Sequence, residues 1–314
     1  MLRTVALRLV AIVPLLGIST LFAFALLQLS DVDAAEIRLG PNATEEQYDV
    51  VREELGVDRS PAVQYVDWAG HAVRGDFGTS WVNNADIGDQ LKARLPVTLS
   101  LTAGALLIAL VIGIPAGILA AVRNGRPADQ AVTAVASFGQ ALPNFWVAIL
   151  LAAYVGVKTD LFPATGYVGP TESVVDWIQS ITLPSIALGT AAASGFARQT
   201  RSAVLETLDQ RFVRTAVSNG FRGTTVLTRH VLRNSAIPLA TVIAAQATLL
   251  LGGSVIVEQV FALPGMGSFV LTAIRQGDHP VVLGFVAAMA VTVALVQLVL
   301  DLSYAWIDPR VRVS

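Results

Sequence analysis

Cysteine is absent from this chain of 314 residues, and histidine occurs only three times. Without cysteine the chain can form no disulfide and offers no thiolate to a metal ion. The histidines, His71, His230 and His279, are far apart in the sequence and fall in predicted loops. The HExxH, GxSxG and CxxC motifs are missing as well. We therefore expect no catalytic, metal-binding or cofactor-binding residues on this chain.

Charged residues are also scarce, at 14% of the chain, whereas hydrophobic residues make up 54% and the mean hydropathy is +0.63. Such values are typical of membrane proteins. A helix needs roughly 20 predominantly apolar residues to cross a bilayer, and we expect an all-α polytopic membrane protein with six transmembrane helices. The candidate segments are 9–29, 97–122, 131–157, 183–197, 238–257 and 281–306.

Two of these segments need comment. The fourth is short and rich in alanine, glycine and serine, so it must begin near Ile178 or continue through Thr200 to cross the bilayer. The first has Arg3 and Arg8 before it, as a signal peptide would. Because its apolar run is longer than the central region of a typical signal peptide, we interpret it as a retained helix.

The basic residues are distributed unevenly across this topology. With six spans, both termini and the connections 123–130 and 198–237 share one side of the membrane. That side carries 13 basic and four acidic residues, and the opposite side carries 8 basic and 18 acidic residues. Because lysine and arginine bias sets the orientation, we expect the arginine-rich side, including the N- and C-termini, to be cytoplasmic.

The longest polar segment follows the first span and carries helix signals of its own. Thr44 and Gln47 form a capping-box pattern, and Gly56 is placed to end the helix that they open. Ser60 and Pro61 then indicate the start of a second helix. We therefore divide the chain into a first transmembrane helix (1–30), a structured extracytoplasmic cap (31–96) and a core (97–314) with five transmembrane helices.

The connection 198–237 is the most basic part of the chain. Within it Val213, Val217 and Phe221 recur every four residues, which predicts a short amphipathic helix with one apolar stripe. This design suits either anionic lipid or the groove of a cytoplasmic partner. Gly220 is a hinge, a helix stop or a contact point. The arginines of this connection are Arg198, Arg201, Arg211, Arg214, Arg222, Arg229 and Arg233, against the acids Glu206 and Asp209.

Energy coupling is constrained by what the sequence omits. There is no GxxxxGK[ST] phosphate loop, so if ATP powers this protein another chain must bind it. Ionisable residues are nearly absent from the predicted spans, whereas ion-coupled carriers usually bury carboxylates or histidines there. The exception, Asp301, is expected to pair with a basic residue or cap a helix end rather than to relay protons. An autonomous carrier and an intramembrane hydrolase are therefore both disfavoured.

The basic connection resembles the EAA loop of ATP-binding-cassette importer permeases, in particular the B-type subunits of the oligopeptide, dipeptide and nickel branch. Two residues of the general pattern differ, with Arg214 and Thr215 at the positions of the glutamate and first alanine, and Arg233 stands where a proline is expected. The matching stretches are FVRTA (212–216) with Gly220, LRNSAIP (232–238), LGVD (55–58), GDFGTS (75–80), RLPVTL (94–99), EQVF (258–261), PGMG (264–267) and DPR (308–310).

This resemblance implies a non-catalytic permease subunit, multi-pass in the cell inner (plasma) membrane, that contacts lipid and no nucleic acid. Its implied partners are a homologous second permease, an extracytoplasmic substrate-binding protein and two cytoplasmic ATPase subunits or domains that bind ATP and Mg. The implied cargo is an oligopeptide or dipeptide. The alternatives are nickel, glutathione or another small solute, or an autonomous carrier.

The resemblance also assigns candidate functional residues. The implied ATPase-coupling loop comprises Arg211, Phe212, Val213, Arg214, Thr215, Ala216, Val217, Gly220 and Phe221. The implied outer gate or binding-protein contact comprises Trp81, Glu258, Phe261, Pro264, Gly265, Met266 and Gly267.

Overall fold

The computed structural model describes residues 2–30, 32–159 and 161–307, and these residues contain no β-strand. Short π-helical segments span Ala152–Gly156 and Val226–Val231. The all-α expectation is confirmed. The helices are α1 (Leu2–Leu27), α2 (Ala34–Leu39), α3 (Glu45–Leu55), α4 (Pro61–Ala72), α5 (Ile87–Val122), α6 (Pro127–Ala141), α7 (Asn144–Leu151), α8 (Val174–Leu208), α9 (Arg211–Ser218), α10 (Gly223–Thr225), α11 (Leu232–Val260), α12 (Met266–Gln276) and α13 (His279–Ile307).

Among the described residues, five helices are long and apolar enough to cross a membrane, and a bent pair adds a sixth crossing if it counts as one span. The five are Val10–Leu27, Ile87–Val122, Val174–Leu208, Pro238–Val260 and His279–Leu300. The short fourth segment of the sequence prediction is the middle of α8, which extends beyond both of its ends to a length of 35 residues. It is therefore long enough to cross.

The predicted span 131–157 is broken, because two helices occupy it. The segments Pro127–Ala141 and Asn144–Gly156 are bent by 94° relative to each other. The break lies at Leu142 and Pro143. A residue before proline is pushed out of the helical region, and Leu142 has an extended backbone (φ −74°, ψ 125°). The proline therefore accounts for the bend.

Helix α5 begins about ten residues before the predicted span. Its first turn is closed by Asp86, whose Oδ1 accepts a hydrogen bond from the backbone N–H of Asp89 at 2.8 Å. Ile87 and Leu91 are buried in a hydrophobic cluster with residues of α12 and α13. This burial, which hydropathy alone does not show, holds the polar start of α5 in helical form.

The chain divides into two compact units: residues 1–97 with 264–298, and residues 98–263 with 299–314. The first unit contains the cap. As predicted, α3 has a capping box at Thr44 and ends at Gly56, and α4 begins with Pro61. Both signals were recognisable because they are local: the capping box uses hydrogen bonds within one turn, and proline sets the backbone of the first helical residue. The cap is also tied to α1, since the Thr20 and Tyr65 hydroxyls lie 3.0 Å apart.

Helix α2 was not predicted. Asp33 caps it, because its Oδ1 accepts a hydrogen bond from the Ala35 N–H at 2.9 Å. The other carboxylate oxygen of Asp33 accepts from the Arg52 guanidinium, with a distance of 3.2 Å from Nε. The Arg52 hydrogen bond is the main cause that lowers the pKa of Asp33, and the same contact raises the pKa of Arg52. This ion pair joins α2 to α3.

In the second unit α5 packs closely on α8 through glycines. A Cβ on Gly113 would lie 2.5 Å from the Ala193 carbonyl oxygen, and one on Gly117 would lie 2.4 Å from the Ala197 carbonyl oxygen. These two glycines form a GxxxG pattern, which permits two helix backbones to approach in a membrane. Bulkier residues at either position would force the helices apart.

Two features of the sequence fall outside this description. The side chain of Asp301 lies outside the described residues, and so does the DPR stretch at 308–310.

Candidate coupling surface

Helix α9 lies in the basic connection between α8 and α11, and its inner face is buried. Val213 and Ala216 are 4% and 7% exposed. They belong to a hydrophobic cluster with Val204 of α8 and with Val226 and Val231 of the π-helical segment. The burial of these small apolar side chains fixes α9 on the rest of the unit.

The members of the predicted apolar stripe differ in burial, and only part of the stripe is packed against this chain. Val213 is buried, whereas Val217 is 58% exposed and Phe221 is 50% exposed. The inward face is set by Val213 and Ala216, three residues apart, and α9 stops at Ser218, so Phe221 lies beyond the helix. Phe212 is also exposed. Part of the apolar surface in and next to α9 is thus packed against this chain, and the rest is exposed.

Most of the arginines of the connection are exposed. Arg201 is the exception, because its guanidinium binds Asp129 at 2.6 Å. No other arginine of the connection forms an ion pair with another described side chain. Their positive charge therefore remains available. The exposed arginines are Arg198, Arg211, Arg214, Arg222, Arg229 and Arg233.

Gly220 ends α9. Its φ is +78°, its N–H bonds to the Val217 carbonyl at 3.0 Å, and the Phe221 N–H bonds to the Ala216 carbonyl at 3.3 Å. This pair of hydrogen bonds is the Schellman motif, in which a left-handed glycine satisfies the last carbonyls of a helix. A Cβ at Gly220 would meet no atom of this chain within 4 Å. Of the three roles left open by the sequence, the structure shows the helix stop.

The two ends of the connection are joined by buried polar contacts. The hydroxyls of Thr207, near the end of α8, and Ser235, near the start of α11, lie 2.9 Å apart, and Ser235 Oγ donates to the Ala203 carbonyl at 3.2 Å. Farther out, the ring of Phe221 contacts the edge of the His230 ring, with centroids 6.0 Å apart. These contacts hold together the two ends of the connection that contains α9.

Of the residues predicted for the outer gate or the binding-protein contact, the two in the second unit are buried. Glu258 is fully buried in α11 and accepts a hydrogen bond from Thr98 Oγ1 at 2.7 Å. Phe261 is 1% exposed, and its carbonyl accepts from the Gly166 N–H at 2.9 Å. Both residues therefore hold the interior of the unit together, and Thr98 is a partner that sequence reasoning missed.

The outer candidates of the first unit divide into exposed and buried residues. Trp81 is partly exposed and Pro264 is exposed, whereas Gly265, Met266 and Gly267 are buried. The burial of the last three leaves Trp81 and Pro264 as the accessible candidates of this unit.

Asp278 positions Trp81 and was missed by sequence reasoning. Its carboxylate accepts hydrogen bonds from the Trp81 N–H at 3.1 Å and from Ser80 Oγ at 2.5 Å. The rings of Trp81 and His279 lie 5.1 Å apart. The available signal was Gly277, whose left-handed backbone ends α12 and turns the next acid inward.

Comparisons with known proteins show the family of this chain. Residues 1–102 match the family model described as "Binding-prot-dependent transport system membrane comp, N-term", and residues 113–313 match the one described as "Binding-protein-dependent transport system inner membrane component". The chain is 33% identical over 97% of both chains to the "Probable peptide ABC transporter permease protein y4tP" of Sinorhizobium fredii. It is 35% identical over 95% of both chains to the "Oligopeptide transport system permease protein AppB" of Bacillus subtilis.

Solved structures share the fold at low sequence identity. A chain of the MetNI methionine ABC transporter matches with a TM-score of 0.55 and 18% identity, over 70% of this chain and 96% of that one. A chain of an amino acid ABC transporter matches with a TM-score of 0.50 and 14% identity, over 71% of this chain and 94% of that one. The fold, the helical spans and the full-length family matches lead to one conclusion: this chain belongs to the binding-protein-dependent transport system inner membrane components and is the permease subunit of an ATP-binding-cassette importer.

Proposed function

We propose that this permease imports oligopeptides or dipeptides. Support comes from two relatives, y4tP and AppB, which are named as peptide and oligopeptide permeases and align with nearly the whole chain. Nickel, glutathione and other small solutes are the alternative cargoes. Uptake of a labelled tripeptide by cells that lack and regain this chain tests the cargo, and uptake that does not depend on the chain would contradict it.

The proposed coupling site is α9. The observation that carries it is that Val213 and Ala216 of this helix are buried, whereas Phe212, Arg214 and Val217 are exposed. Because α9 is packed on α8, a partner that binds the exposed residues of α9 can transmit its movement to the transmembrane helices. A groove in an ATPase subunit would accept the exposed aromatic and aliphatic side chains in the manner of a helix in a groove.

The absence of cysteine makes this docking directly testable. A Val217→Cys variant should react with a water-soluble maleimide in the isolated permease and should be protected when the ATPase subunits are bound. Val63→Cys, on an exposed face of the cap helix α4, is the matched control and should react equally in both states. Equal labelling of Val217→Cys in both states would contradict the docking.

We further propose that α6 and α7 cross the membrane as one broken span. An even number of spans places the exposed arginines of 198–237 and both termini on the same, cytoplasmic side, as the positive-inside rule requires. The division into first helix (1–30), extracytoplasmic cap (31–96) and core (97–314) follows from this topology. A reporter fused after Arg126 should read cytoplasmic and one fused after Asp58 external, and the reverse readings would overturn the orientation.

ATP and Mg are proposed to bind to two partner ATPase subunits or domains, since the sequence carries no phosphate loop. A homologous second permease and an external binding protein would complete the importer. Trp81 and Pro264 would then be accessible to the binding protein, whereas the buried Glu258, Phe261, Gly265, Met266 and Gly267 would support the outer gate. The purified chain alone should hydrolyse no ATP, and hydrolysis that persists when partner subunits are removed would contradict this division.

A further inference from the structure

A polar cavity of about 320 Å³ lies in the first unit beside the start of α5. Arg94 and Gln90, one turn apart on α5, line it from one side. Phe269 and Gln276 of α12 and Asn83 of the preceding loop also contribute to its lining. Recessed cavities of this size, with a few converging polar groups, are typical of small-molecule sites rather than of flat protein contacts.

Arg94 brings an uncompensated positive charge to this cavity. The side chain is partly buried, and its guanidinium stacks on the Phe269 ring with Cζ 4.3 Å from the centroid. Among the described residues it forms no ion pair. The N–H donors of a guanidinium lie in its plane, so stacking on a ring orients them and leaves them free to bind an acceptor.

The side-chain amide of Gln90 is a second polar group at this cavity. Its Nε2 atom is buried and has no hydrogen-bond partner among the described residues. A buried donor without a partner costs free energy, typically about 1–3 kcal/mol, and such groups therefore call for an explanation. An acceptor that enters the cavity from outside the chain would satisfy Gln90 and Arg94 together.

The acid that lines the cavity does not compete for these donors. The Asp278 carboxylate already accepts hydrogen bonds from Ser80 Oγ and the Trp81 N–H. The cavity therefore offers one cation and an unsatisfied amide donor, a combination that suits an acceptor with a single negative charge and two oxygens. A planar carboxylate fits the guanidinium fork in this way.

We propose that this cavity binds the terminal carboxylate of a transported peptide. The inference rests on the proposed peptide cargo and adds Arg94 and Gln90 as residues that recognise the free carboxyl end. A peptide would be held there by charge-assisted hydrogen bonds to Arg94 and by the amide of Gln90, with the rest of its chain outside the cavity.

The test compares two peptides in proteoliposomes that contain the complete importer and its binding protein. The probes are trialanine with a free carboxylate and trialanine with a C-terminal amide. Arg94→Gln should slow uptake of the free peptide by about tenfold or more and should slow uptake of the amide much less, because the amide offers the guanidinium only a neutral acceptor. The binding protein is the same in every sample, so its own preference cancels when the variant is compared with the wild type.

Arg275→Gln is the matched control, because Arg275 is exposed in the last turn of α12 and does not line the cavity. Gln90→Leu provides a second variant that keeps the fold, since it removes a donor that has no partner. It should slow uptake of the free peptide while the melting temperature stays level or rises.

Three results would overturn the proposal. Arg94→Gln could behave like Arg275→Gln, or it could slow both peptides equally, as loss of binding-protein docking or of packing on Phe269 would. Gln90→Leu could leave uptake of both peptides unchanged. Failure of the wild-type importer to take up either peptide would instead contradict the proposed cargo itself, so the two failures are distinguishable.

Discussion

The Arg201 guanidinium donates two hydrogen bonds to the Asp129 carboxylate, at 2.6 Å from Nε and 2.8 Å from Nη2, across 72 residues of sequence. The carboxylate also accepts from the Gly125 N–H at 2.9 Å. Asp129 is buried, whereas Arg201 is partly exposed. The pair therefore ties the first turn of α6 to α8.

The unequal burial of this pair predicts unequal mutational effects. Arg201→Gln leaves a buried carboxylate without its cation, whereas Asp129→Asn leaves an arginine that can reach solvent. We expect Arg201→Gln to lower the melting temperature of the detergent-purified protein by several degrees, and by more than Asp129→Asn does. Arg198→Gln, three residues earlier and exposed, should have little effect. A larger loss from Asp129→Asn than from Arg201→Gln would show that the argument from burial is wrong.

The glycines between α5 and α8 predict a stability difference between two identical substitutions. Gly117→Ala places a methyl group 2.4 Å from the Ala197 carbonyl oxygen, so one backbone must move, at a cost of about 1–3 kcal/mol. Gly252→Ala, inside α11, meets no atom within 4 Å and should be neutral or stabilise by up to about 1 kcal/mol. Melting temperatures of the two variants measure this contrast, and equal values would contradict the close approach.

Gly220 predicts a series that separates its role as a helix stop from contact with a partner. Asparagine tolerates the left-handed backbone, whereas valine does not. A Cβ at 220 meets no described atom within 4 Å, so Gly220→Asn should leave both the folded protein and its membrane level intact. If Gly220→Asn transports normally and Gly220→Val does not, the helix stop is sufficient to explain the glycine.

Loss of transport in both Gly220 variants, with normal membrane levels, would instead indicate that another chain lies against this position. The measurement is uptake normalised to the amount of permease in the membrane. Normal uptake by Gly220→Val would contradict any requirement for the left-handed stop in coupling.

The Asp33–Arg52 pair predicts a pH dependence in the cap. The Arg52 hydrogen bond lowers the pKa of Asp33, so the pair stabilises the folded state fully above the usual aspartate value of about 3.9. Its contribution is lost as the pH falls below that value towards the lower pKa of the folded state. Both side chains are partly exposed, and solvent screening keeps the effect modest.

Asp33→Asn is the matched control, because asparagine still caps α2 but cannot form the ion pair. The drop in the melting temperature of the protein between pH 6 and pH 3 should be smaller in the variant than in the wild type. The same drop in both proteins would show that Asp33 does not contribute to acid sensitivity.

Several elements were predictable because their cause is local. The apolar runs indicated α5, α11 and α13, and the capping signals at Thr44 and Pro61 indicated α3 and α4. Pro143 signalled a bend between α6 and α7, but no feature of the sequence indicated the angle of 94°. Helix propensity and hydropathy decide whether a segment is helical, whereas the direction of the chain after a break depends on what it packs against.

In the candidate sites, too, some features have a local cause and others depend on tertiary packing. The sequence by itself determined that this chain is a hydrophobic, cysteine-free helical membrane protein with an arginine-rich connection. Composition and periodicity can be read from the order of the residues without knowing which residues come into contact. Only the tertiary structure decided that Val213 is buried while Val217 is exposed, that Arg201 is neutralised by Asp129, and that Arg94 has no such partner among the described residues. Those outcomes depend on contacts between residues distant in sequence, and one hydrophobic or charged side chain cannot encode which neighbour the fold will bring to it.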